Sequence, residues 1–182
     1  LEFTPGSKFE YSNTNYVILG ILIEKLSGQS YYDYTQSHIL NPLGLSATEA
    51  GKSTITGEDY AKGYEYSSQS KEAEYIDMSI AYSAGVLSSN ISDLEDWAAS
   101  FINLSLISQQ EYDEIFATET YGYGWLTKPI DGRNMFWHTG GINGFESVIM
   151  VLPDVNGVII MLSNIENAKN GDISKYILDT QF

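Results

Sequence analysis

Apolar residues follow two different periods along this chain, helical first and strand-like later. Val17, Ile18, Leu19, Ile21, Leu22, Ile23 and Leu26 cover most of the circumference of a helix from about Tyr16 to Ser27, which predicts a helix buried on all sides. Asn13 or Thr14 is placed to cap its start and Gly28 to end it. Ser30-Tyr31-Tyr32-Asp33 has capping-box spacing and opens a second helix. Asn41-Pro42 is expected to terminate that helix, because a proline pushes the preceding residue out of helical geometry.

From Ala50 to Ser79 the chain turns polar, with Gly51, Gly57 and Gly63 set among Tyr60, Tyr64, Tyr66 and Tyr75. That composition predicts a long loop holding one irregular hairpin. Ser92-Asp93-Leu94-Glu95 repeats the capping spacing ahead of Trp97, Ala98, Phe101 and Ile102, and Ser108 to Glu111 does so for a shorter helix to about Phe116.

After Thr120 the period shortens. Tyr121 to Thr127, Met135 to Thr139, Phe145 to Leu152 and Val158 to Ser163 are four β-like runs. Asp131-Gly132, the Gly140/Gly141/Gly144 cluster, and Pro153 with Asn156-Gly157 separate them. Strands joined so closely pair antiparallel. A last helix begins at Gly171-Asp172 and carries Ile173, Ile177 and Leu178 toward one sheet face. Residues 1–118 thus read as helices and loop, and 119–182 as strands plus a C-terminal helix.

Composition narrows the class. The 182 residues are 43% hydrophobic, with 14 Tyr, 7 Phe and 3 Trp, too rich for a disordered chain. A formal net charge of −15 with nine Lys and Arg excludes a nucleic-acid partner, whose affinity comes from cationic side chains neutralising phosphates. Without cysteine there is no disulfide, thiolate zinc site or thiol nucleophile. The two histidines, His38 and His138, form no H-x-x-x-H pair, so no metal is expected. His38, near the end of the second helix, suits a dipole or packing role. Glu58/Asp59, Asp93/Glu95/Asp96 and Asp113/Glu114 read as solvated faces and helix N-termini. Apolar runs such as Tyr16 to Ile23 are too short to span a membrane.

Two short motifs carry the candidate chemistry. Serine acyl transfer without a histidine triad needs a serine activated by a nearby lysine, a second proton carrier, and donors for the tetrahedral oxyanion. Tyr11-Ser12-Asn13 and His138-Thr139-Gly140-Gly141 resemble the second and third of the three motifs that build such a site in the serine β-lactamase and penicillin-binding-protein group. Alone, each is as readily a helix cap or a strand ending in a turn. Their surroundings extend the resemblance: Pro5-Gly6, Leu19-Gly20, Ser27-Gly28 and Pro42-Leu43-Gly44-Leu45, then Ser83 to Ser89 with Asp93-Leu94. Tyr121-Gly122-Tyr123-Gly124-Trp125, Phe145, Pro153-Asp154 and Leu162-Ser163-Asn164 continue it in family order. Nearly the whole chain resembles the class C β-lactamase, D,D-peptidase and esterase branch.

That resemblance implies an α+β fold of the β-lactamase/transpeptidase type, an antiparallel sheet flanked by helices, here incomplete. It implies that Tyr11 is the catalytic proton carrier, that Asn13, His138, Thr139, Gly140 and Gly141 contact the substrate, and that no cofactor takes part. The Gly141 N–H is the candidate for one oxyanion donor, on an edge strand beside the pocket. A free tyrosine titrates near 10, so Tyr11 needs a close cation to act as a base. The expected substrate is a small-molecule or peptide acyl compound. His138 stands where lysine is common, and a largely neutral imidazole attracts a carboxylate less, which points toward peptidase or esterase over β-lactamase.

The first motif is displaced. The family's S-x-x-K lies many tens of residues before the tyrosine motif, whereas ten residues precede Tyr11 here. Ser68-Gln69-Ser70-Lys71 matches the pattern in the wrong order, inside a polar stretch, and is read as a chance match. The expectation is therefore a C-terminal portion of one domain, inactive by itself, that self-associates, swaps a segment or pairs with the missing N-terminal part. A non-catalytic binding or regulatory module is the alternative, and a truncated product without activity a third. The resemblance also suggests an extracytoplasmic location.

Overall fold

Five antiparallel strands form one sheet in sequence order, with helices on both faces, in a computed structural model that describes residues 2–49, 60–67, 71–118, 120–127 and 129–182. The strands are β1 (Tyr121–Gly122), β2 (Trp125–Leu126), β3 (Phe136–Ile142), β4 (Phe145–Leu152) and β5 (Gly157–Ser163). β3 and β4 pair along their full length from Phe136 opposite Val151 to Ile142 opposite Phe145. Asn143-Gly144 makes the turn, with Gly144 at φ +79°, a conformation glycine adopts freely.

Period-two alternation sorts the core into two layers. Val148, Met150 and Leu152 face one way and, with Met135 and Ile159, pack on Leu178. Leu178 belongs to α6 (Asn170–Gln181), which Asn170 anchors by bonds to Ser163 Oγ and the Glu146 carbonyl. Phe136 and Val151 face the opposite way, against Ala98 and Phe101 of α4 (Ile91–Ile102) and Trp125. Phe116, just past α5 (Gln109–Ile115), stacks on Phe136 at 4.2 Å. The Ser108/Glu111 capping box forms as its spacing predicts.

Earlier in the chain, α1 (Asn13–Ser27) and α2 (Tyr31–Thr35) form a helical pair, and α2 runs through a π-helical turn (Gln36–Leu40) into the short α3 (Asn41–Leu43). α1 meets the 3₁₀ turn Tyr82–Ala84 at Gly20, where any side chain would run into Ser83. Ser83 Oγ donates to the Tyr16 carbonyl at 2.7 Å. No helix among the described residues is long and apolar enough to cross a membrane.

Several sequence expectations need correction. α1 is not buried: Gly20 is its one buried residue, and Leu26 is 80% exposed. Its cap position is Ser12, which makes no side-chain capping bond. Pro42 does not end the second helix; the wide π turn ahead of it opens the ladder that a proline would otherwise clash with, and Gly44 stops the chain two residues later. α4 is capped by Asn90, whose side chain accepts from the Asp93 N–H, not by Ser92. Asp93 is buried, not solvated, and its carboxylate accepts from the Ala47 N–H and Thr48 Oγ1, tying the segment after α3 to α4.

In the sheet, Tyr121 to Thr127 is a tight hairpin of two short strands rather than one strand. Gly140 and Gly141 lie inside β3, not in a turn. Ile173 is 43% exposed, so α6 packs through Ile177 and Leu178 instead. The irregular hairpin in the polar stretch is present around Tyr64 and Glu72. Gly51, Gly57, Glu58, Asp59 and Ser68 lie outside the described residues.

Candidate active site

The two motifs meet in space. Tyr11 immediately precedes α1 and Asn13 opens it; the Tyr11 hydroxyl donates to Asn13 Oδ1 at 3.1 Å. The Tyr11 ring lies 6.0 Å from the His138 ring on β3 and 6.1 Å from Tyr121 on β1. Long-range contact between residues from opposite ends of the chain thus assembles a single surface from a helix start and a strand.

Alternation places His138 on the same sheet face as Phe136, the face covered farther along by α4 and α5. β2 touches β3 at the single pair Leu126 with Trp137, so from His138 to Ile142 the outer edge of β3 has no strand partner among the described residues. The edge-strand expectation therefore holds for five of the seven residues of β3: an inner strand by order, it has no described strand on its outer side where the motif lies. Thr139, Gly140 and Gly141 are exposed. A side chain at Gly141 would meet nothing in this chain, whereas one at Gly140 would strike Ser147 on β4. Gly140 is thus glycine for packing on β4, whereas the position at Gly141 borders open space among the described residues.

The polar loop packs on the β3–β4 turn and on the segment after β5. Tyr64 bonds through its N–H to the Asn164 carbonyl and through its carbonyl to the Glu166 N–H, beyond the end of β5. Glu166 Oε1 accepts from the Gly144 N–H at 3.0 Å, and Asn143 Nδ2 donates to the Glu74 carbonyl. Gly63 and Gly144 approach so closely that a side chain on Gly144 would lie 2.6 Å from the Gly63 Cα. The turn after the His-Thr-Gly-Gly motif is thereby fixed from both sides.

Sequence reasoning gave Tyr121 and Tyr16 no role in the site. Tyr121 Oη is 3.0 Å from His138 Nε2, and the Tyr16 hydroxyl donates to Tyr121 Oη at 3.2 Å. His138 Nδ1 lies 2.7 Å from the Thr139 carbonyl. Burial holds the Tyr121 phenol well above its ordinary value of 10.0, so it is a neutral hydroxyl throughout the physiological range. The Tyr-Gly-Tyr-Gly-Trp spacing was a signal for this hairpin, but nothing in it names the tyrosine that turns toward the histidine.

Among the described residues no lysine or arginine hydrogen-bonds to Tyr11. Lys8, three positions earlier, pairs with Glu10 at 3.2 Å and lies over the Phe3 ring. Lys71, the lysine of the displaced S-x-x-K match, is exposed and pairs with Glu65 at 2.8 Å. His38 stacks on Tyr34 at 4.1 Å, a packing role. Two cavities of about 240 and 300 Å³ lie under the hairpin and beside α5, and neither is lined by a motif residue.

The chain is 29% identical to Protein flp of Staphylococcus aureus strain MW2 over 92% of its own length and 35% of that protein's. It superposes with a TM-score of 0.85 and 27% identity on the octameric penicillin-binding protein homologue from Pyrococcus abyssi, covering 97% of this chain and 43% of that one. A D-stereospecific amidohydrolase from Streptomyces sp. gives the same TM-score and identity, with 96% and 56% covered. The fold is thus of the β-lactamase/transpeptidase type, and the chain spans about a third of the length of the curated relatives it matches. With residues 1–181 matching the beta-lactamase family model, the chain belongs to the beta-lactamase family.

Proposed function

We propose that this chain supplies two walls of a serine acyl-hydrolase site, with the nucleophilic serine and its lysine contributed by a segment outside it. In this reading Tyr11 is the proton carrier, Asn13 holds the substrate's acylamide, and His138, Thr139, Gly140 and Gly141 form the strand edge along which the substrate lies. The observation that supports it most is the approach of Tyr11 and Asn13 to His138 across an open half-strand. At rest the Tyr11 hydroxyl donates its hydrogen bond to Asn13 Oδ1. A lysine from the remaining wall would supply the cation that a phenolate needs.

The substrate class is an acyl compound: a D-amino-acid peptide or amide, an ester or a β-lactam. The amidohydrolase relative supports the first of these. An imidazole at His138, where the family commonly has the ammonium of a lysine, favours peptidase or esterase chemistry over capture of a carboxylate-bearing β-lactam. The chain forms the C-terminal portion of one such domain, 1–118 carrying the helices and loop and 119–182 the strands and last helix. Ile18, Leu19, Ile21, Leu22 and Leu26, all exposed on α1, are then covered by that remaining wall or by a second copy. The octameric relative supports self-association.

A fluorescent penicillin or fluorophosphonate tests the proposal. The chain alone is expected to remain unlabelled, and a longer protein with an upstream S-x-x-K to be labelled at that serine, with labelling lost in Tyr11→Phe. Label on any serine of this chain would sink the claim of inactivity, and label at Ser68 would make the displaced match the nucleophile. A longer protein without the upstream serine that still binds the probe reversibly would favour the non-catalytic binding module.

A further inference from the structure

For a neutral imidazole, hydrogen-bond accounting at His138 leaves a single consistent assignment. The Thr139 carbonyl only accepts, so His138 Nδ1 carries the proton that bonds to it at 2.7 Å. A neutral imidazole has one N–H, so Nε2 is an acceptor, and the hydrogen in the 3.0 Å contact comes from Tyr121. A hydroxyl that donates once still accepts, and the Tyr16 hydroxyl donates into Tyr121 Oη at 3.2 Å. Polarity therefore runs one way, from Tyr16 through Tyr121 to His138 and out to the Thr139 carbonyl.

Each member comes from a different element. Tyr16 lies in the first turn of α1, three residues past Asn13; Tyr121 begins the hairpin; His138 is on β3. The hairpin is held in place by close contacts: Gly122 lies against the Ile115 carbonyl with no space for a side chain, and Gly124 faces the Tyr16 hydroxyl. The Tyr121 ring packs on Phe9 at 5.5 Å and on Tyr11 at 6.1 Å. Its ring is thus held against Phe9 and Tyr11, with the hydroxyl directed at His138.

We propose that Tyr121, supported by Tyr16, is a positioning residue for His138: it fixes the Nδ1–H tautomer and the ring orientation, and it links the strand wall of the site to the helix that carries Tyr11 and Asn13. Neither ring nitrogen is then left to donate to a ligand, since Nδ1–H is engaged by Thr139 and Nε2 accepts from Tyr121. The placement of His138 at a substrate rests on the function proposed above; the tautomer and its cause do not.

The experiment reads the imidazole nitrogens directly. The chain has two histidines, so a long-range ¹H–¹⁵N spectrum of the labelled chain, recorded at a pH where the rings are neutral, is assigned by His38→Gln. The expected His138 pattern is a protonated Nδ1 with Nε2 shifted upfield of a free acceptor nitrogen. Tyr121→Phe, which keeps the ring packing, moves Nε2 downfield; Tyr16→Phe moves it the same way by less. Tyr123→Phe, whose side chain is exposed, leaves it in place. A protonated Nε2 in the unaltered chain, or an Nε2 signal unmoved by Tyr121→Phe, overturns the proposal. Should Tyr121→Phe fail to fold, the Tyr16→Phe shift decides. Probe labelling tests the hydrolase reading separately, so the failure of either one is recognisable on its own.

Discussion

Strand β4 and helix α1 are both rich in apolar residues, but they sit in opposite surroundings. Val148, Met150, Val151 and Leu152 are at most 3% exposed, enclosed by α6 on one face and by α4 and α5 on the other. On α1, Ile18 is 57% and Leu26 80% exposed, and its contacts are made through Gly20 and Tyr16. The sheet half of the molecule thus has both its faces covered within this chain, while the helix that leads from the tyrosine motif has one side covered. The site lies on the boundary, which is why half of it is well ordered by packing and half is open.

Substitutions separate the two regions, beginning with the largest effect. Phe136→Ala, which removes a ring packed against Phe101, Phe116 and Trp125, is expected to cost about 3–5 kcal/mol in urea unfolding. Gly122→Ala drives a methyl into the Ile115 carbonyl and should cost about 1–3 kcal/mol, with the hairpin displaced. Leu26→Ser on the open face of α1 should change unfolding stability by no more than about 0.5 kcal/mol. The same substitution should weaken any self-association seen by sedimentation. A loss from Leu26→Ser as large as that from Phe136→Ala would mean that α1 is covered in solution, and the contrast between the regions would disappear.

The smallest effect belongs to Glu111. Bonds from the Ser108 N–H and hydroxyl lower its carboxyl below the ordinary 4.5. Its folded value is depressed, so its stabilisation is present above the unfolded value and is lost as pH falls through the lower folded one. Glu111→Gln should therefore be slightly less stable than the unaltered chain at neutral pH, with the gap closing as the solution is acidified below about 4. A gap that persists under acid would show that the capping amide, not the charge, matters.

Local rules identified elements well where one residue type decides the backbone. Gly28 at φ +73° ends α1, and Ser108 with Glu111 opens α5, as their spacing predicts. The same rules misplaced boundaries wherever a neighbour intervened. Pro42 was expected to stop a helix, but a π turn accommodates it. Asp93 has the spacing of a surface helix start, yet Ala47 and Thr48 draw it inside. The glycines of the third motif resemble a turn, but full pairing with β4 keeps them in a strand. At the site, Tyr11, Asn13 and His138 were legible from their motifs, whereas Tyr16 and Tyr121 were not. A tyrosine in a helix or a hairpin carries no mark of which hydroxyl will point at an imidazole.

The sequence by itself determined the family, the order of helices before strands, and the two motifs, because those depend on residue identity at short spacing. Tertiary structure decided which apolar segments are covered, that no described strand pairs with the outer edge of β3 from His138 onward, and that Tyr16 and Tyr121 converge on His138. Those properties arise from contacts between residues far apart in sequence, whose geometry is set by the packing of whole elements. Periodicity records that a face is apolar; only the folded chain shows what, if anything, lies against it.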